Sequence, residues 1–222
     1  MLRTLKLIIF DLDDTLICSN IDYYEIKCSI AELFSPPLSE ETIKTTPILK
    51  LLKRLKQKHP DKYDEGKTRL VELEKKAADF ATVLKGAEKI HSLLTDLHIQ
   101  AAIFTNNSVD TLNLYLKKPH FNFLTKFTIF TREDFIHPKP DPEGIIKIIE
   151  KHEVPPDSVI YVGDSYIDAI AAQKSGVRFI HFKSRETNQK LFPEPPYATI
   201  TNWDEFEDLL NQNLGNAASN GL

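Results

Sequence analysis

The stretch Leu7-Ile8-Ile9-Phe10-Asp11-Leu12-Asp13-Asp14-Thr15 joins a short apolar run to an acidic turn that ends in a hydroxyl. An uninterrupted apolar run of this length, bounded by turn residues, reads as a buried strand. Its carboxyl end then delivers Asp11 and Asp13 together, with Thr15 just beyond. No basic residue separates the carboxylates, so they repel one another unless a cation lies between them. An oxygen-preferring, octahedral Mg²⁺ suits two carboxylates and several waters. An Asp-rich turn serves equally well as a simple turn or helix cap, and it is three further segments that decide between these readings.

The second segment is Ala101-Ala102-Ile103-Phe104 running into Thr105-Asn106-Asn107-Ser108, followed by a helical pattern through Val109, Leu112, Leu114 and Leu116. A helix start offers backbone N–H groups to an anion, and the Thr105 hydroxyl and the Asn106 peptide N–H are candidate ligands for phosphate oxygens. The third is His137-Pro138-Lys139-Pro140-Asp141-Pro142. Prolines on both sides restrict the Lys139 backbone to extended conformations and stiffen its mounting. Asp141 is the expected N-cap and Pro142 the expected first residue of a helix carrying Ile145, Ile146, Ile148 and Ile149. A point charge there can neutralise a phosphoryl group and neighbouring carboxylates. The fourth is Val159-Ile160-Tyr161-Val162 followed by Gly163-Asp164-Ser165-Tyr166-Ile167-Asp168. Asp164 and Asp168 stand at i and i+4, which on a first helical turn puts both on one face. A helix dipole explains either carboxylate by itself, but not four polar strand ends in one chain.

In this order the segments resemble the haloacid dehalogenase superfamily of phosphohydrolases, whose motifs run DxDxT, a hydroxyl after a strand, Lys, and GDxxxD. Here they read DLDDT, FTNN, HPKP and GDSYID. The resemblance extends from the first strand to about Phe182. It implies that Asp11 is the nucleophile and Asp13 the acid and then the base. It implies a Mg²⁺ held by Asp11, by the backbone carbonyl of Asp13 and by Asp164. Thr105, Asn106 and Lys139 would hold phosphoryl oxygens, with Thr15 and Asp168 in support, Asp168 anchoring metal waters or Lys139. Dehalogenase members generally lack an Asp two residues beyond the nucleophile, so Asp13 favours phosphoryl transfer. Asp14 departs from the Gly most often found there in the phosphoglycolate-phosphatase-like branch.

Strand-like runs at 7–10, 101–104, 127–130, 159–162 and 178–182 alternate with helical patterns after residue 86, which predicts an α/β fold with a parallel sheet. The resemblance makes it a Rossmann-like core. Residues 17–85 lack a convincing strand and read as helices over 21–34, 42–59 and about 64–84, an all-helical cap inserted into the core. The expected division is therefore a core of 1–16 and 86–214, a cap of 17–85 and a tail of 215–222. Trp203 to Leu214 reads as a last amphipathic helix. Gly86 is the expected returning hinge. By the resemblance, a cap placed here closes over the site and chooses the substrate.

Among 222 residues, 41% are hydrophobic and the net charge is −4. The cap carries 13 Lys and Arg against 11 Asp and Glu, the rest 15 against 21. The run Lys50, Lys53, Arg54, Lys56 and Lys58 reads as a solvated helix face, with attraction of anionic substrate as the alternative. Tyr23 and Tyr24 are candidates for substrate contact or for core packing. The acidic balance speaks against nucleic-acid binding. The longest apolar stretch is far too short for a membrane span, and no signal-like region opens the chain. Cys18 and Cys28 fit neither CxxC nor zinc spacing. The expectation is a cytoplasmic Mg²⁺-dependent phosphatase, monomer or homodimer, acting on a small phosphorylated metabolite of the phosphoglycolate type. Nucleoside monophosphates form the second substrate class, a phosphomutase the second reaction, and a metal-dependent binding protein the non-enzymatic alternative.

Overall fold

The computed structural model describes residues 5–184 and 192–215. The strands are β1 (Leu7–Phe10), β2 (Ile17–Cys18), β3 (Thr82–Val83), β4 (Gln100–Phe104), β5 (Thr128–Phe130), β6 (Val159–Gly163), β7 (Arg178–Phe182) and β8 (Ala198–Ile200). The helices are α1 (Tyr23–Ala31), α2 (Glu40–Thr45), α3 (Ile48–Lys58), α4 (Tyr63–Ala78), α5 (Ala87–Asp96), α6 (Val109–Leu116), α7 (Glu143–Lys151), α8 (Tyr166–Lys174) and α9 (Trp203–Gly215).

Two compact units are present. The first comprises residues 1–18, 82–106 and 116–222, and the second residues 19–81 with 107–115. The sequence reading assigns 107–115 to the core, whereas here most of α6 groups with the helical unit. Its buried Thr111 donates to Glu74 Oε2 on α4 at 3.1 Å, and Asp110 pairs with Lys75 at 3.0 Å.

The first unit is an α/β Rossmann-like fold. Its six strands lie in the order β5-β4-β1-β6-β7-β8, every neighbouring pair parallel. Central β1 and β6 are buried along their whole length, as continuous apolar runs in a sheet covered on both faces require. Leu7, Ile9, Ala102, Phe104, Val159 and Tyr161 pack with Ile145, Ile148 and Ala169 of the flanking helices. An aromatic cluster on the same unit sets Phe10 edge-on to Phe127, Trp203 and Phe206. Because β1 lies between β4 and β6, the ends of these three strands bring the residues after Phe10, Phe104 and Gly163 to one edge. Ligands bind at that carboxyl edge in open α/β sheets.

The helical unit differs from its expected boundaries in three places. The expected helix over 42–59 is two helices, α2 and α3. Thr46 is extended, and Pro47, which lacks an N–H and restricts the residue before it, stands at the break. The expected helix over 64–84 ends at Ala78, and residues 82–83 pair antiparallel with 17–18 in a two-residue ladder that belongs to the first unit. Asp22 caps α1 by accepting from the Tyr24 and Glu25 N–H groups, so that helix starts two residues later than 21. Leu51, Leu52 and Leu55 of α3 face the unit's core with Ile26, Ile30 and Leu70. Lys50, Lys53, Lys56 and Lys58 are exposed on the other face. Tyr23 and Tyr24 are also exposed, so neither is core.

Cys18 and Cys28 form no disulfide. Among the described residues, no helix is long and apolar enough to cross a membrane. The expected tail lies outside the described residues, apart from Gly215 at the end of α9.

Candidate active site

Asp11 is the first residue after β1, and its N–H donates to Val162 O of β6 at 2.8 Å. The loop that follows folds back tightly. Asp14 N donates to Ile17 O at 2.6 Å, Leu16 N to Leu12 O at 2.9 Å, and Asp14 adopts φ 55°. That is the left-handed region, which Gly occupies freely and Asp tolerates better than most residues. Asp14 therefore suits the left-handed position that the sequence resemblance associates most often with Gly. Asp11, Asp13 and Thr15 are all buried, and the Thr15 hydroxyl has no hydrogen-bond partner among the described residues.

Lys139 reaches this edge from the loop before α7. Asn106, two residues past β4, clamps its backbone with a pair of hydrogen bonds. Asn106 Oδ1 accepts from Lys139 N at 3.0 Å and Asn106 Nδ2 donates to Lys139 O at 3.1 Å. Arg132 Nη1 donates to the Asn106 carbonyl at 3.1 Å. The Asn106 side chain thus acts on the lysine, a role distinct from the phosphate contact expected of its peptide N–H. Thr105 is fully buried at the end of β4, its N–H donating to Phe130 O at 2.9 Å. The assigned helix α7 starts at Glu143 with Pro142 as its cap, one residue later than expected. Asp141 still accepts from the Glu143 N–H, at 3.0 Å. Gly144 lets α7 sit on β4, because a Cβ there would come within 2.3 Å of the Phe104 ring.

The buried Lys139 Nζ lies 2.5 Å from Asp11 Oδ1, 2.8 Å from Asp168 Oδ1, 2.9 Å from Tyr161 OH and 3.0 Å from Phe104 O. Asp164 and Asp168 do not share a helix face. Asp164 precedes the cap residue Ser165, and Asp168 is the third helical residue, completing a capping box in which its carboxylate accepts from the Ser165 N–H and hydroxyl. They converge nonetheless: one carboxylate oxygen from each of Asp11, Asp164 and Asp168 lies within 4.8 Å of the others.

Electrostatics follow from that crowding. Burial raises the Asp11 carboxyl to about 7, despite the opposing pull of Lys139. Burial, and then the charges of Asp168, Asp11 and Asp14, push Asp164 well above the usual carboxylate range. Burial works against the Lys139 ammonium, but Asp11 and Asp168 outweigh it and hold the group well above the ordinary lysine value. Burial likewise keeps Tyr161 a neutral phenol. Among the described residues a single ammonium faces three carboxylates, so the donor set retains negative charge for a hard, oxygen-preferring divalent cation, and the residues fit one.

The architecture has counterparts. The chain matches the haloacid dehalogenase-like hydrolase family over residues 8–182. It belongs to that family. The pyrophosphatase PpaX of Bacillus velezensis is 27% identical over 187 residues, covering 77% of this chain and 80% of the relative. A phosphoglycolate phosphatase of Cereibacter sphaeroides is 26% identical over 218 residues, covering 93% and 98%. The crystal structure of a hydrolase from Pseudomonas syringae shares the fold with a TM-score of 0.76, at 20% identity over 93% of this chain and 98% of that one.

Sequence reasoning missed Tyr161, Ser165 and the Phe104 carbonyl. Tyr161 did carry a signal. It is the polar member of an otherwise apolar central strand, and a buried tyrosine hydroxyl normally has a partner.

Proposed function

We propose that this hydrolase is a Mg²⁺-dependent phosphatase that cleaves small phosphomonoesters through an aspartyl-phosphate on Asp11, with phosphoglycolate-like acids as the leading substrate class. The observation that carries the reading is Asp11 itself, a buried carboxylate at the end of a central strand, paired with a buried lysine and crowded by further carboxylates. A carboxylate so placed is oriented for attack on phosphorus.

In the first step an Asp11 oxygen bonds to phosphorus as the ester oxygen departs, taking a proton from Asp13. In the second, water attacks the phosphorus of the acyl phosphate while Asp13 takes its proton, which releases phosphate and regenerates Asp11. Lys139, Thr105 and the Asn106 peptide N–H bind the equatorial phosphoryl oxygens, where catalysis is mostly positioning and charge stabilisation. Asp11, Asp164 and the Asp13 carbonyl would hold Mg²⁺, which supplies further neutralisation of phosphoryl charge. Thr15 lies buried in the loop that carries both acids, and Asp168 anchors Lys139. The helical unit is read as the cap that selects the leaving group.

The similarity to a pyrophosphatase favours a second reading, cleavage of a phosphoanhydride, so inorganic pyrophosphate belongs in the test. Phosphate release is measured from phosphorylated acids, sugars, nucleoside monophosphates and pyrophosphate, with and without Mg²⁺. Metal-dependent release that disappears in Asp11→Asn is the expected result. Failure to release phosphate from any of them overturns the reading, and sugar-phosphate isomerisation without release replaces it with a mutase.

A further inference from the structure

The Lys139 ammonium has three N–H groups and four acceptors within 3.0 Å: Asp11 Oδ1, Asp168 Oδ1, Tyr161 OH and Phe104 O. Tyr161 resolves the mismatch. Its hydroxyl also lies 3.2 Å from Asp168 Oδ1 and 3.3 Å from Phe104 O, so it can accept from the lysine and donate to one of them. Three N–H groups and one O–H then serve the two carboxylate oxygens, the carbonyl and the phenol oxygen with no buried acceptor bare. Both aromatic residues are fully buried, so solvent cannot substitute for the phenol.

The consequence appears when a phosphoryl oxygen arrives. The lysine must then give up one N–H, and the acceptor in the set that can be released without being left unpaired is the phenol, whose O–H goes on donating to the Phe104 carbonyl. We propose that Tyr161 is a positioning residue whose hydroxyl fixes the Lys139 ammonium and lets it turn one N–H to substrate while the buried Phe104 carbonyl stays hydrogen-bonded. This rests on the reading of Lys139 as a phosphoryl ligand. Without the hydroxyl, all three N–H groups are committed to Asp11, Asp168 and Phe104. Phosphate binding then leaves a buried acceptor unpaired, a loss that corresponds to about tenfold or more in affinity.

The test is Tyr161→Phe in the full chain, which keeps the ring and its packing. Inorganic phosphate binding to the Mg²⁺-loaded protein is measured by calorimetry. Alongside it, the Lys139 ammonium is followed by ¹H–¹⁵N NMR, its signal identified by its absence in Lys139→Met. The expected result is phosphate affinity lowered about tenfold, a shifted ammonium resonance and a thermal midpoint close to wild type. A phosphate affinity unchanged in Tyr161→Phe overturns the role of the tyrosine while leaving the phosphatase reading intact. Wild type that neither binds phosphate nor releases it from any ester overturns that reading, and this proposal with it.

Discussion

Gly163 ends β6, and a Cβ built there would lie 2.7 Å from Asp168 Cγ, 2.8 Å from its Cβ and 2.9 Å from its Oδ2. Gly163 does not take a positive φ, so alanine suits its backbone, and the three nearest atoms its Cβ would meet all belong to the Asp168 side chain. Relieving the contact to ordinary van der Waals separation moves the carboxylate by about 0.8 Å. That carboxylate is held at Oδ1 by Lys139 and Tyr161 and at Oδ2 by the Ser165 N–H and hydroxyl, so it cannot yield cheaply. Overpacking of this kind costs about 1–3 kcal/mol and a damaged helix cap about 1 more, for a total of about 2–4 kcal/mol. The decisive comparison is the same substitution in an Asp168→Gly background, which removes all three clashing atoms. There, alanine should be neutral or stabilising by up to about 1 kcal/mol, through the unfolded chain. The chain's single tryptophan, Trp203, stacks on Phe182 in the sheet unit, so its fluorescence in urea titrations with EDTA reports unfolding of the unit concerned. A cost of Gly163→Ala that is the same in both backgrounds, within about 0.5 kcal/mol, would refute the argument.

Three further outcomes follow from the crowded carboxylates. Mg²⁺ at one hundred times its Kd should stabilise the wild-type chain by about 2.7 kcal/mol, and Asp164→Ala should lose most of that shift; a melting scan in which both proteins respond equally counts against Asp164 as a ligand. In EDTA, the Asp11 carboxyl at about 7 when folded, against its ordinary 3.8, makes the folded state bind its proton more tightly. Stability in urea titrations should therefore fall as pH rises from about 4 to about 7, with Asp164 acting in the same direction. Mg²⁺ binding should release protons below pH 7 and tighten up to that point, and a calorimetric affinity that is flat from pH 5.5 to 8 contradicts this.

How much of this was legible in the chain depended on the range of the forces involved. The five expected strands lie within a residue of the observed ones, and for central β1 and β6 burial on both sheet faces writes itself into contiguous apolar residues. The missed strands are short: β2 and β3 have two residues each and β8 three, too few for any periodicity to register. The α2–α3 break falls at Pro47, a local signal across which the expected 42–59 helix runs unbroken. Grouping of 107–115 with the helical unit turns on contacts such as Thr111 to Glu74, 37 residues apart, which no local pattern encodes.

The site divides in the same way. Each strand-end motif is local, and a parallel sheet gathers strand ends at one edge whatever their distance in sequence, so Asp11, Lys139, Asp164 and Asp168 could be named together in advance. What the motifs leave out is the set of groups that hold those residues still. Tyr161, the Phe104 carbonyl and the Asn106 side chain all act on Lys139, and none belongs to a pattern that announces the task. The bonds from Tyr161, Phe104 and Asn106 to Lys139 span 22, 35 and 33 residues. Their selection is geometric: a buried lysine needs each of its three N–H groups met, and the groups close enough to meet them come from the adjoining strands and the first turn of α8. The reacting groups are thus fixed by chemistry and readable from residue type, whereas the positioning groups are fixed by hydrogen-bond arithmetic and readable only once the strand order is known.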